Sequence, residues 1–324
     1  MKARIVSSLL AACLAVASAP AMAAPAAPLP APDLSIDPAI AQEIANAILA
    51  ASQDRAARMT VPVMINGQGP FQFVVDTGSE RTAIAADVAA RLGLRKGRPV
   101  LMHAANVSER RETAAIQNLQ VGSSSGLKAE AIILDRANIL VDGMLGIDLM
   151  RKQQIVMDFK GAKLSVEPAR KERFDNNAVV VPGRSLYGQL ILADVKIRGQ
   201  AIYVVLDSGG ETTVANSALG KMLRRVDPSN ALTVGIIDVT GLQTDAQAAT
   251  LPDVQLGGIV IRNLQVAFAD LAIFERLKLN DRPAMLLGMD VLRKFDRVAV
   301  NFERKQAAFN IAADTPTLPA FTAR

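Results

Sequence analysis

Two aspartates carry the strongest chemical signal in this chain. Asp76 ends the run Phe73-Val74-Val75 and opens Thr77-Gly78-Ser79, while Asp207 ends Tyr203-Val204-Val205-Leu206 and opens Ser208-Gly209-Gly210. Each is an apolar run of β type that terminates in Asp-(Thr/Ser)-Gly. Two carboxylates held face to face cannot both ionise, so they share one proton and provide an acid and a base in one site. A lone Asp-Thr-Gly reads as an ordinary turn, where Asp and Gly are favoured; the second copy in matching surroundings gives the pair its chemical meaning.

The elements around the two aspartates also occur twice. Val61-Pro62-Val63-Met64-Ile65 alternates, turns at Asn66-Gly67 and leads to Asp76; Leu190-Ile191-Leu192-Ala193-Asp194-Val195-Lys196-Ile197 leads through Arg198-Gly199 to Asp207. Leu119 to Gly122 with Ala131 to Asp135 resembles Val254 to Gly257 with Val266 to Asp270. Met144-Leu145-Gly146-Ile147-Asp148-Leu149-Met150-Arg151-Lys152 recurs as Leu286-Leu287-Gly288-Met289-Asp290-Val291-Leu292-Arg293-Lys294, and strands follow at Gln154–Phe159 and Arg297–Phe302. The aspartates lie 131 residues apart and the Leu-Gly elements 142 apart, as a duplication with small insertions requires. Neither copy holds enough sequence to bury a large core alone, so two lobes packed on each other are expected.

The 324 residues, 50% hydrophobic and 21% charged, describe a globular chain of more than one core. Lys2 and Arg4, the apolar run Ile5–Ala17 and Ala21-Met22-Ala23 form the three parts of a secretory signal peptide cleaved after Ala23. Export is therefore expected, and the Ala-rich signal points to a bacterial periplasm. Leu10-Ala11-Ala12-Cys13 offers a rival lipoprotein box with Cys13 as lipid anchor, but the apolar run before Cys13 is short for that use. Loss of Lys2 and Arg4 from the 36 basic residues, against 31 acidic ones, lowers the formal charge from +5 to +3. Scattered basic residues, no Trp and two Tyr leave nothing from which to build a nucleic-acid surface. No later stretch reads as a membrane span.

Residues 24–58 combine an Ala/Pro-rich linker with an amphipathic helix that starts at Asp37-Pro38 and carries Ile40, Ile44, Ile48 and Leu49 on one face. Lobes are expected at 59–168 and 178–312, joined by a polar linker at 169–177 and followed by a tail at 313–324. His103 is the sole histidine, and no Gly-x-Ser-x-Gly elbow accompanies it, so a Ser/His/Asp triad is not supported. A metal site would have to be built mostly from carboxylates, which is unusual for zinc. No cofactor or metal is implied.

On these residues the chain resembles the aspartic peptidases over about 60–312, with retropepsin-like lobes joined in tandem as in the bilobed pepsin arrangement. The resemblance implies a mostly β fold: two pseudo-symmetric, β-barrel-like lobes with a cleft between them. It implies Asp76 and Asp207 as the catalytic dyad that activates a water without a covalent intermediate. Thr77 and Ser208 would cross-link the two turns, Gly78 and Gly209 would let the backbone approach the carboxylates, and Leu145-Gly146 and Leu287-Gly288 would support them. The substrate would be a protein or peptide, and a monomer would suffice. Two alternatives stand beside this: a silent fold that only binds extended peptides, and a homodimer pairing equivalent halves.

Three further expectations concern the site. Ser79 in the first copy faces Gly210 in the second, so a hydroxyl donated by Ser79 would favour charge on Asp76 and leave the shared proton with Asp207; Gly210→Ser would then move the acid limb of a pH–rate profile downward. Asp148 and Asp290 are expected to cap the short helices after Gly146 and Gly288. Covering hairpins are expected with tips at Met102–Glu109 and Ile236–Leu242, the latter turning at Thr240-Gly241, and neither carries the Tyr of pepsin-type enzymes.

Overall fold

The computed structural model describes residues 59–104, 108–169, 178–223, 232–311 and 321–323. The expected signal segment with Cys13, the expected linker and helix at 24–58, nearly all of the expected linker between the lobes and most of the expected tail lie outside the described residues.

The described chain is mostly β, as expected. Its first half runs β1 (Thr60–Ile65), β2 (Gln68–Val75), β3 (Ala83–Ala85), α1 (Ala86–Arg91), β4 (Val100–His103), β5 (Ser108–Arg111), β6 (Thr113–Val121), β7 (Ser124–Leu134), α2 (Arg136–Ile139), β8 (Gly143–Leu145), β9 (Gln153–Asp158) and β10 (Lys163–Pro168). Asn66 and Gly67 both take left-handed φ, 50° and 81°. This is the backbone that a two-residue hairpin requires, and Asn-Gly supplies it at little steric cost. In β1, Val61, Val63 and Ile65 alternate inward. They help fill a closed barrel of order β1-β2-β8-β3-β7-β6.

The second half continues with β11 (Ala178–Leu186), β12 (Gln189–Leu192), β13 (Val195–Ile197), β14 (Gln200–Ala201), β15 (Tyr203–Leu206), β16 (Val214–Ala215), α3 (Ser217–Met222), β17 (Leu232–Ile237), β18 (Gln243–Leu251), β19 (Val254–Leu256), β20 (Ile259–Ile261), β21 (Leu264–Phe268), α4 (Ala272–Arg276), β22 (Ala284–Leu287), α5 (Met289–Leu292), β23 (Arg297–Asn301), β24 (Gln306–Asn310) and β25 (Phe321–Ala323). It repeats the first half without closing its barrel. Ala193 and a left-handed Asp194, φ 56°, interrupt the run that is a single strand in the first half. Beyond the break, β13 joins the separate sheet β14-β13-β19-β20-β25, while β12 stays beside β15.

The two halves share one sheet. Its order is β10-β9-β23-β24-β11-β12-β15-β22-β16-β21-β18-β17, so β9 of the first half lies against β23 of the second, with Gln154 to Asp158 paired antiparallel to Asn301 to Arg297. The Asn301 side-chain amide donates to the Gln154 side-chain oxygen at 2.9 Å within that buried seam. The main buried apolar cluster likewise runs through both halves, from Phe73 and Leu145 to Phe295 and Phe309.

Candidate active site

Each motif aspartate stands at the buried end of a parallel ladder. Val75 of β2 pairs with Leu145 of β8, and Leu206 of β15 with Leu287 of β22. The ladders extend one bond further, since the Asp76 amide donates to the Leu145 carbonyl at 2.9 Å and the Asp207 amide to the Leu287 carbonyl at 3.0 Å. Continuous apolar runs fit strands covered on both sides. The glycine after each Leu is forced by close packing: a Cβ on Gly146 would collide with the backbone of Arg81, and one on Gly288 would stand 2.7 Å from the Thr212 carbonyl carbon.

Thr77 and Ser208 tie the two turns together. The Thr77 hydroxyl donates to the Leu206 carbonyl at 2.8 Å and accepts the Ser208 amide at 2.9 Å. Reciprocally, the Ser208 hydroxyl donates to the Val75 carbonyl at 2.8 Å and accepts the Thr77 amide at 3.2 Å. Four backbone groups flanking the aspartates are thereby satisfied by two side chains from opposite lobes. Only a hydroxyl can donate and accept at once in this way.

The carboxylates are oriented by their own turns. Asp76 Oδ1 accepts the amides of Gly78 at 2.9 Å and Ser79 at 3.0 Å, and Asp207 Oδ1 accepts those of Gly209 and Gly210, both at 3.0 Å. Each carboxylate also abuts the other motif's glycine. A Cβ on Gly78 would lie 2.6 Å from Asp207 Oδ1, and one on Gly209 would overlap the Asp76 carboxyl group. The seven residues expected at the site therefore stand together in space: Asp76 buried, Asp207 half-buried, Thr77 and Ser208 in the cross-link, Gly78 and Gly209 at the close approach, and Ser79 contributing its amide.

The expected asymmetry between the aspartates has no basis in the hydroxyl of Ser79. That group donates to the Arg81 carbonyl at 2.9 Å, because the turn carries the side chain away from Asp76. Gly210 is better explained by space: a Cβ there would stand 2.8 Å from Asp207 Oδ2. Gly210→Ser would displace the carboxylate, so it does not isolate a hydrogen-bond effect.

Asp148 and Asp290 also depart from the simple capping role. Asp148 Oδ1 accepts the Thr82 amide at 2.9 Å, the Thr82 hydroxyl at 2.8 Å and the Leu149 amide at 3.1 Å. Asp290 takes the Thr213 amide and hydroxyl, at 3.0 and 2.7 Å, and the Val291 amide at 2.9 Å. Thr82 and Thr213 in turn accept the amides of Gly146 and Gly288. Each carboxylate thus bolts the Leu-Gly element to the segment leaving the motif. Burial pushes both carboxyls above the ordinary aspartate range, against the opposing pull of the Thr hydroxyl and the backbone amides. The signal was present in the sequence: a Thr stands six residues after each motif aspartate.

Asp76 and Asp207 open onto a cavity of about 240 Å³. Hairpins stand at both expected places, β4–β5 and β17–β18, and both line it. Residues 105–107 of the first tip lie outside the described residues. The second tip is an Asx turn in which Asp238 Oδ1 accepts the Thr240 hydroxyl and the amides of Thr240 and Leu242. Its Gly241, at φ 85°, rests against Asn138 of α2 in the first lobe.

Two further contacts between the lobes, like the β9–β23 seam and the approach of Gly241 to Asn138, lie outside what the sequence predicts. The buried Gln189 at the start of β12 donates its amide to the Gly78 carbonyl at 2.5 Å. Arg276 of α4 pairs with Glu80 at 2.8 Å and stacks 4.3 Å over the Tyr187 ring. Glu211, the counterpart of Glu80, pairs instead with Arg293 of its own lobe at 2.8 Å.

Comparison with known families matches the aspartyl protease model to residues 61–149 and again to 193–291, one match on each half. No curated protein matches the chain. With two copies of the family's domain covering more than half of its length, the chain belongs to the aspartyl protease family.

Proposed function

We propose that this chain is an aspartic endopeptidase that hydrolyses peptide bonds with Asp76 and Asp207 and one water. The observation that carries the reading is the reciprocal Thr77–Ser208 cross-link, which holds the two motif turns so that each carboxylate lies against the opposite glycine at the floor of one cavity. Close carboxylates share one proton. In the reaction, the unprotonated member takes a proton from water as the water oxygen bonds to the scissile carbonyl carbon, and the protonated member gives its proton to the carbonyl oxygen. The tetrahedral species then collapses: its hydroxyl proton returns to one carboxylate, the C–N bond breaks, and the departing nitrogen takes the proton held by the other. The products are an acid and an amine, and the dyad again holds one proton.

Both halves of the site come from one chain, which supports a monomer as the active form. The residue pattern at 1–23 supports export, and no helix among the described residues is long and apolar enough to cross a membrane. The test is cleavage of a diverse peptide mixture from pH 3 to 8 by the wild type beside Asp76→Asn and Asp207→Asn, which keep shape but break proton sharing. Wild-type cutting abolished in both variants is the expected result. Cutting that survives in either variant, or none by the wild type, refutes the reading.

A further inference from the structure

The pseudo-symmetry of the two motifs breaks at one charged position. Five residues after Asp76 stands Arg81, and five after Asp207 stands Thr212; both line the cavity that holds the aspartates. Among the described residues lining that cavity, Arg81 is the one Arg or Lys. Its main chain is pinned, with the carbonyl taking the Ser79 hydroxyl and the backbone packed against Gly146. Its side chain is exposed and makes no hydrogen bond or ion pair among the described residues.

The neighbouring acids do not compete for it. Glu80 is taken by Arg276 and Glu211 by Arg293, while Asp148 is already occupied by Thr82 and the Leu149 amide. Arg81 acts on Asp148 only through its charge, as a minor pull on the carboxyl. What remains is a planar, permanently charged donor fork on a fixed base at the wall of the cavity. A guanidinium of this kind matches a carboxylate with two parallel hydrogen bonds.

We propose that Arg81 selects peptides bearing a carboxylate on the first-lobe side of the cleft, supplied by an acidic side chain or by the peptide's C-terminus. The proposal rests on the peptidase reading and names its substrate class. Thr212 offers no such charge on the second-lobe side, so the preference falls on one side of the cut only. A peptide is thereby read in one direction.

The experiment uses peptides around one cleaved bond in which single positions on either side are Glu, Gln or Lys, each made as free acid and as C-terminal amide. The proteins are the wild type, Arg81→Gln, Arg81→Lys and Arg81→Glu. Cleavage is followed as kcat and KM. Binding of the same peptides to an Asp207→Asn protein, with and without each Arg81 change, is followed by fluorescence anisotropy. The expected result is a Glu-over-Gln preference of about 5- to 10-fold at one position, the size of a charge-assisted bond discounted for solvent screening. It resides in KM, disappears in Arg81→Gln, returns in part in Arg81→Lys and inverts toward Lys in Arg81→Glu. If the free acid is preferred over the amide and internal Glu is not, the carboxylate is the C-terminal one. A Glu/Gln ratio equal in wild type and Arg81→Gln overturns the proposal, as does an equal loss of kcat on every peptide. If nothing is cut, the peptidase reading fails by itself and the anisotropy ratios decide Arg81: a ratio lost in Arg81→Gln supports it, an unchanged ratio overturns it.

Discussion

Replacing Thr77 with Val removes one oxygen from the site and almost nothing else, since the two side chains have nearly the same shape. Two partners lose that oxygen: the Leu206 carbonyl, which accepted from it, and the Ser208 amide, which donated to it. Thr77 is 2% exposed, so water does not replace the hydroxyl from its own side. A buried polar group left unpaired costs about 1–3 kcal/mol. Two such groups, one of them on the half-buried Ser208, give a loss of about 2–5 kcal/mol. At about 2–4 °C per kcal/mol, the figure for domains of about 150–250 residues and an upper guide for this longer chain, Tm falls by up to roughly 4–20 °C. Urea unfolding and calorimetry of the wild type, Thr77→Val and Thr77→Ser measure it, with the Ser variant keeping the oxygen and losing only a methyl group. A Thr77→Val protein as stable as the wild type refutes the reasoning, and so does a Thr77→Ser protein destabilised as much as the Val variant.

Asp148 has a folded-state pKa raised by burial, so the stability that its protonation contributes is fully present below the unfolded value and is lost as pH rises through the folded one. Because all three of its hydrogen bonds reach Oδ1, Asp148→Asn keeps every acceptor; its urea midpoint gains on the wild type as pH rises from about 4 to 7. A constant offset across that range, or a variant that loses ground toward pH 7, contradicts the assignment. Gly209→Ala places a methyl group in the Asp76 carboxyl, which costs about 1–3 kcal/mol as overpacking and displaces a group that the proposed chemistry needs. Loss of cleavage greater than loss of folded protein at the assay temperature is expected; cleavage at the wild-type rate counts against the close approach.

What could be read from the sequence was what depends on neighbours along the chain. The apolar runs into Asp76 and Asp207, the Leu-Gly elements and the turns at Asn66-Gly67 and Arg198-Gly199 are local patterns, and duplication made each visible twice. The Ser79 hydroxyl was misjudged because a rotation of one turn decides between Asp76 and the Arg81 carbonyl. Gln189 was invisible for a different reason: its partner lies 111 residues away, and a glutamine has no residue type that it must meet. The union of β9 with β23 shows the same limit, since a strand's sequence states which face is apolar and not which edge it will join. The open second barrel turns on the left-handed Asp194, where a single φ decides whether a run becomes one strand or two.

The shared ladder between the halves has a mechanical consequence. Spreading the lobes would shear the bonds between Gln154–Asp158 and Arg297–Asn301 and break the buried Asn301–Gln154 contact, besides parting Thr77 from Ser208 and Gln189 from Gly78. The floor of the cleft behaves as a stiff plate whose width is set once, at folding. Compliance is left to the roof, where β4 and β5 form a two-stranded sheet hydrogen-bonded to no other strand among the described residues and where Ile237 and Leu242 stand exposed beside the second tip. Segments with few backbone partners open at lower free energy than the core they cover. On the proposed reading, the described part of β4–β5 is the stretch of the roof that an entering peptide displaces at least cost to the geometry beneath, because β17–β18 is tied through β18 to β21 of the shared sheet.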